Sequence, residues 1–310
     1  MLRILLFIAC CFAVPLSLAR TVTDHSGNIV NIPDEPLRIV SLHDWTLTVM
    51  THELGAPLIA STGRLAADGS QYMRGARELF GLDFSQIALA SIHGKLDLER
   101  LRALKPDLIL ANTGDYAALR SPLSSIAPTL LFNPEQGRPM LDLYQDLADW
   151  LGKTAEFDVL KQRYTAQATA LRERLTVPGT YVALLVNGRD GTIQILKEYG
   201  ALTTVMDDLG LRRMPIIDTI PAGTDRMTIG AELIEAIDAD YIVTSYLPDQ
   251  GEDAQSIDRD FDRIAPGARD FLQAFVNQRV LRFSRYEVYP PSFKGLEMTL
   301  KNVESAIAAR

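Results

Sequence analysis

Cysteine is nearly absent. The 310 residues contain two, Cys10 and Cys11, both inside an N-terminal apolar run. Downstream of that run there is no thiol for a disulfide, a thiolate metal site or a catalytic nucleophile. Tryptophan is equally sparse, at Trp45 and Trp150, and the four histidines are His25, His43, His52 and His93. None of these forms an H-E-x-x-H pair, which removes the zincin arrangement. There is no G-x-S-x-G elbow, no Walker A lysine loop and no G-x-G-x-x-G. Long apolar runs are missing beyond the N-terminus, so no later segment reaches the roughly 20 residues that a membrane-spanning helix needs. Net positive charge is also lacking: the formal charge is −8, which disfavours nucleic acid and anionic membrane surfaces as partners.

What is present begins with an address. Arg3 supplies a positive charge, Ile4 to Val14 is apolar without interruption, and Ser17-Leu18-Ala19 is a small-residue cleavage site. This three-part pattern predicts a secretory signal peptide over residues 1–19 and an exported mature chain from Arg20. Removal of Arg3 takes the charge from −8 to −9. Cys10 falls too early in the run, after a poorly matching Phe7-Ile8-Ala9, for a lipidation site. A free periplasmic protein is expected, with no membrane insertion after the signal is removed.

The rest alternates between short apolar runs and helical patterns. Thr21-Val22-Thr23 and Ile29 to Ile32 read as a hairpin around Asp24 to Asn28. Strands are predicted at Arg38–Leu42, Leu58–Ala60, Ile87–Ala90, Leu108–Ala111 and Thr129–Phe132. Helices are predicted at Thr46–Leu54, Leu98–Lys105, Tyr116–Ile126 and Met140–Leu151. A long helix follows from Thr154, a candidate cap, to about Leu175, with Phe157, Leu160, Tyr164, Ala168, Leu171 and Leu175 recurring at helical spacing. At 1.5 Å per residue it is about 32 Å long, a stiff spacer. After Val177-Pro178-Gly179 the alternation restarts, with strands at Tyr181–Val186, Thr192–Leu196, Tyr241–Thr244 and Val280–Phe283. Helices are predicted between them at Thr203–Leu209, Ala231–Ile237 and Phe271–Val276, and at the C-terminus.

One echo links the halves. Leu98 to Leu110 and Ala231 to Val243 each read as a glutamate in a first helical turn, a short helix, an Asp and a buried strand. A repeated supersecondary unit predicts two similar lobes. The fold class is therefore α/β: two βα-repeat lobes, each a mainly parallel sheet with flanking helices, joined by one long rigid helix. The expected division is 20–151 for the N-terminal lobe, 152–177 for the connecting helix and 178–310 for the C-terminal lobe.

In order and spacing the chain resembles the periplasmic binding proteins whose lobes are joined by a single helix. The carrying residues are Thr21 to Asp24, Gly27, Val30, Ile32-Pro33, Pro36, Arg38 to Leu42 and Glu53-Leu54-Gly55. They continue with Leu98 to Leu101, Lys105 to Ile109, the linker from Gly152 and Leu209-Gly210. The resemblance implies a monomer that captures a ferric siderophore or ferric citrate-like chelate between its lobes. It would pass this to an ABC importer, a permease dimer with its ATPase. Haem or cobalamin is the alternative ligand within the family; a periplasmic enzyme or metallochaperone on the same fold is the alternative class. No cofactor and no protein metal site are implied, the iron arriving inside its chelator.

Loops after strand ends form such a cleft. They place Trp45, Arg64, His93 and Tyr116 in the first lobe as ligand contacts, with Arg189, Tyr246, Arg285 and Tyr289 in the second. Arginine forks suit carboxylate oxygens, and Tyr and Trp give flat contact with a polar tip. The resemblance places His93 where a ligand-contacting arginine stands, and Tyr116 and Tyr289 near contacting tyrosines. The adjacent His43-Asp44 reads as a solvated loop pair. The resemblance also assigns Glu99 and Glu232 as docking contacts, one per lobe, for arginines of the importer.

Overall fold

The computed structural model describes residues 19–66, 68–174 and 179–308. The leader with Cys10 and Cys11, and the predicted end of the long helix at 175–178, lie outside these residues. Among the described residues no helix is long and apolar enough to cross a membrane.

The N-terminal hairpin pairs β1 (Ala19–Thr23) with β2 (Ile29–Pro33), Val22 opposite Val30. Its turn closes on Asp24, whose Oδ1 accepts the Ser26 and Asn28 amides at 2.9 Å. Gly27, at φ 77°, supplies the left-handed residue. The other Asp24 oxygen accepts the Leu131 amide at 3.1 Å, which docks the hairpin onto the first lobe.

That lobe is built from β3 (Ile39–Ser41), β4 (Leu58–Leu65), β5 (Gln71–Tyr72), β6 (Ala88–Ile92), β7 (Leu108–Asn112) and β8 (Thr129–Phe132). Strands β4, β3, β7 and β8 lie side by side and parallel, with β6 parallel to β4; only the two-residue β5 runs against them. Leu108 to Ala111 are wholly buried, as an unbroken apolar run on a doubly covered parallel sheet requires. The helices are α1 (Thr46–Glu53), α2 (Ala76–Phe80), α3 (Leu98–Leu104), α4 (Thr113–Tyr116), α5 (Arg120–Ser124) and α6 (Met140–Leu151). The continuous helix expected over 116–126 is instead α4, a 3₁₀ turn at Ala117–Leu119 and α5. Pro122 has no amide hydrogen and its ring clashes with the preceding turn, so an unbroken helix cannot pass through it.

Helix α7 (Thr154–Arg174) then crosses to the second lobe. The Thr154 hydroxyl donates to Asp149 at 2.7 Å rather than capping α7. The second lobe contains β9 (Thr180–Asn187), β10 (Thr192–Leu196), β11 (Arg212–Arg213), β12 (Arg226–Ile229), β13 (Tyr241–Tyr246) and β14 (Val280–Ser284). With them are α8 (Gly200–Asp208), α9 (Ala254–Ile264), α10 (Gln273–Val276), α11 (Arg285–Val288) and α12 (Phe293–Ala308). Strands β9, β13 and β14 are parallel, but β10 is antiparallel to both neighbours. The tight Gly188–Gly191 connection allows a hairpin and no crossover. The internal echo survives as α3–β7 and Ala231–Ile237–β13, each strand interior to its sheet. The second copy of the helix is 3₁₀ rather than α. Asp97 caps α3 through the Arg100 amide at 2.9 Å, whereas Gly230 offers no side-chain acceptor.

One hydrophobic cluster spans both lobes, beside others confined to each. Phe157, Tyr164, Ala168 and Leu171 of α7 pack with Phe293, Leu296 and Leu300 of α12 and with Tyr144 and Leu147 of α6. Glu53, at the end of α1, accepts the first amides of α12, Phe293 at 2.8 Å and Lys294 at 2.7 Å, and the Tyr144 hydroxyl at 2.8 Å. A carboxylate of the first lobe thus caps the last helix of the chain.

Candidate functional site

The two lobes face one another across a cavity of about 350 Å³. From the first lobe come His43 and Trp45 after β3, Arg64 on β4, Arg74 after β5, His93 after β6, Asn112 at the end of β7 with Thr113 to Asp115 after it, and Asn133 to Glu135 after β8. The second lobe contributes Leu185, Tyr199, Arg226, Arg285 and Tyr289. Two side-chain contacts join the lobes. Tyr72 donates to Asp249 at 2.9 Å, and Arg226 meets Glu135 at 2.9 Å.

One buried carboxylate organises the first-lobe wall. Asp44 is fully inaccessible and takes a forked hydrogen bond from Arg74, at 2.9 and 3.0 Å, with Arg64 at 3.5 Å. Burial alone would raise the Asp44 carboxyl; Arg74, aided by Arg64, outweighs it and holds the group below the ordinary range. The His43-Asp44 pair is therefore not the solvated loop pair expected. Asp44 is an internal anchor that aims two guanidinium groups at the cleft.

Aromatic rings extend this wall. The Arg74 guanidinium lies 3.9 Å from the Trp45 ring centre, a cation–π contact. Trp45 meets Tyr289 at 4.6 Å, and Tyr289 meets Tyr199 at 5.7 Å. The buried Trp45 Nε1 has no hydrogen-bond acceptor among the described residues.

Both cleft histidines are shifted down from the ordinary imidazole value. His43 Nδ1 accepts the Thr46 amide at 3.1 Å, which leaves the proton on Nε2. Burial pushes His43 down to about 4. His93 is lowered by burial and by Arg64, against the opposing pull of Asp115, whose carboxylate is 3.7 Å away.

The residues chosen from the sequence fall into two groups. Trp45, Arg64, His93, Arg285 and Tyr289 line the cleft. Tyr116, Arg189 and Tyr246 do not. Tyr116 is 3% exposed and belongs to the first-lobe core. Arg189 lines a neighbouring second-lobe cavity that shares Leu185 and Arg285 with the cleft. Tyr246 packs against the second-lobe core. Sequence reading passed over Arg74, Tyr199, Glu135 and Arg226. Their only local signal was a position at the start or just after the end of a short strand, and two of those strands, β5 and β12, were not predicted. Glu99 and Glu232 sit exposed on the two lobes, in the first turns of α3 and of the 3₁₀ helix. Glu99 pairs with Arg102 at 2.6 Å.

A family model described as periplasmic binding protein matches residues 58–270, more than half of the chain. The chain belongs to the periplasmic binding protein family. A search of curated proteins returned no match. Solved structures match over nearly the whole length. Staphylococcus aureus SirA complexed with staphyloferrin B is 18% identical, with a TM-score of 0.74, covering 93% of this chain and 98% of SirA. A periplasmic binding protein component of a Fep/Fec-like ferrichrome ABC transporter from Bacillus subtilis is 19% identical, with a TM-score of 0.70, covering 93% and 100%. The petrobactin-binding protein YclQ of Bacillus subtilis is 15% identical, with a TM-score of 0.69, covering 94% and 99%. At these identities the likeness speaks for the fold: two α/β lobes with a long helix between them. The family is one of binding proteins, and the cleft lies where a bilobed binding protein holds its ligand.

Proposed function

We propose that this protein is exported to the periplasm, captures an anionic ferric siderophore or ferric citrate-like chelate between its lobes, and delivers it to an ABC importer. The observation that carries the reading is the convergence of Arg64, Arg74, Arg226 and Arg285 with the Trp45–Tyr289–Tyr199 wall on one interlobe cleft. Guanidinium forks read the carboxylate and other anionic oxygens at the surface of such a chelate. The rings give its apolar backbone a flat contact at little entropic cost. The likeness to a staphyloferrin B complex, a petrobactin-binding protein and a ferrichrome transporter component supports the same ligand class. The chelator fills the iron shell with its own oxygens, so His93 acts through packing and hydrogen bonding rather than as a metal ligand.

Titration of the apo-protein with ferric citrate, ferrioxamine B, haem and cobalamin, followed by intrinsic tryptophan fluorescence, tests the reading. Saturable quenching by a ferric chelate without turnover supports it. A Soret shift with haem and no response to ferric chelates replaces it with the haem alternative.

Delivery is assigned to Glu99 and Glu232. Each lobe presents one exposed carboxylate to one half of a two-fold permease, where charge-assisted pairs fix register. The double variant E99Q/E232Q should keep ligand affinity and melting temperature while uptake by reconstituted importer collapses. Undiminished uptake refutes the docking role.

A further inference from the structure

The charges in the cleft are not all equally committed. Arg64 and Arg74 share the buried Asp44. Arg285 donates to the Ser245 hydroxyl at 3.1 Å and, among the described residues, has no carboxylate partner. Arg226 has two. Asp225, its neighbour in sequence, is 7% exposed and makes two bonds to it, at 2.8 and 2.9 Å. Glu135 makes the second contact from the opposite lobe, 2.9 Å from Arg226 Nη2, with its Oε1 also 3.5 Å from the Tyr289 hydroxyl.

The two partners differ in how easily they leave. Asp225 is held by its place in the strand approach, its carbonyl accepting the Lys197 amide at 2.6 Å. The Glu135 side chain is 54% exposed, on the loop between β8 and α6. A half-exposed ion pair between long side chains is weak and easily exchanged with water. The loop itself is placed independently of that pair. Asn133 accepts the Glu135 amide at 3.1 Å. Gly137, at φ 70°, lies so close to the second lobe that a Cβ there would stand 2.7 Å from the Thr224 carbonyl oxygen. The Glu135 carboxylate can therefore swing away while its backbone stays.

We infer that Glu135 fills an anion subsite made by Arg226 and Tyr289, and that an anionic oxygen of the incoming chelate displaces it. Glu135 is then a specificity-determining residue. A strongly anionic chelate gains Arg226 and Tyr289 in exchange for the internal carboxylate, whereas a neutral or cationic one leaves that carboxylate in place. The exchange also opens the Glu135–Arg226 contact between the lobes, while the Tyr72–Asp249 contact stays. This inference rests on the ferric-chelate reading of the cleft.

The test compares ferric citrate, which is anionic, with ferrioxamine B, whose pendant ammonium makes it cationic. Dissociation constants are measured by intrinsic fluorescence for wild type, E135Q and E135A. Melting curves confirm that each variant is folded. Removing a competing charge should tighten ferric citrate about tenfold, equivalent to about 1.4 kcal/mol, and leave ferrioxamine B unchanged or weaker. The affinity ratio therefore moves about tenfold towards the anion. A ratio within twofold of wild type, or weaker ferric citrate binding in both variants, overturns the role of Glu135 while leaving the chelate reading intact. If neither chelate binds any of the three proteins, the chelate reading fails and this inference fails with it.

Discussion

Replacing Asp44 with Asn removes the one charge that holds Arg64 and Arg74 against the first-lobe wall. The carboxylate is inaccessible, and the Arg74 side chain retains 12% of its exposure. Breaking a buried ion pair from one side typically costs about 3–5 kcal/mol, because the other charge is left without compensation. Arg74 still reaches some water and still stacks on Trp45, which places D44N at the lower end, about 3 kcal/mol. At about 2–4 °C per kcal/mol for a chain of this size, the melting temperature at pH 7 should fall by about 6 °C or more. The pH dependence identifies the cause. Asp44 is held below the ordinary carboxylate value of 3.8, so its contribution is complete above that value and is lost as the pH falls through the folded pKa. Calorimetric scans of wild type and D44N should run parallel from pH 7 to pH 5 and converge below pH 3.8. Melting temperatures within about 2 °C at pH 7 would refute the anchoring argument, since the magnitude follows from burial of the pair. So would a gap that persists undiminished in acid.

Other consequences are separable. E53A removes the acceptor of the Phe293 and Lys294 amides and leaves the Tyr144 hydroxyl only the Met50 carbonyl at 3.3 Å; a lost cap costs about 1–2 kcal/mol, and hydrogen exchange at those two amides should accelerate first. The linkage at Glu53 has the opposite sign to that at Asp44. Burial raises Glu53 above 4.5 against its hydrogen bonds, so the folded state favours the protonated acid, and stability is lost as pH rises from 4.5 through the raised pKa. E53Q should remove that slope, and an unchanged pH profile contradicts the assignment. Apo and loaded proteins should give nearly superimposable scattering profiles, because α7 and the Glu53 cap leave few pliable residues between the lobes; a large compaction on loading refutes this. His93→Ala should weaken ferric chelate binding without altering the charge-transfer spectrum of the bound chelate, whereas a spectral shift on binding that disappears in the variant means direct coordination.

Much of the architecture was written locally. Runs such as Leu108–Ala111 and Thr129–Phe132, short and bounded by turn residues, read as strands buried on both faces, and the spacing of Phe157, Tyr164, Ala168 and Leu171 reads as one helical stripe. These signals act over a few residues, where backbone geometry alone sets the period. The loops at strand ends followed from the same alternation, which is why Trp45, Arg64, His93, Arg285 and Tyr289 were found. The rest depended on distance in the chain. Asp44 meets Arg74 across 30 residues, Glu135 meets Arg226 across 91, and Glu53 caps α12 across 240. No local period encodes such pairs. Tyr116 shows the same boundary from the other side: its position after β7 was legible, but the turn of α4 sends its ring into the core. Strand direction in the second lobe was likewise a matter of closure, since β10 reads the same whether it returns by hairpin or crossover. Sequence determined most of the segments that become strands and helices and several of the loops that meet the cleft. Tertiary packing decided which charges face each other there, because an ion pair is set by the distance between two surfaces that only the finished fold brings together.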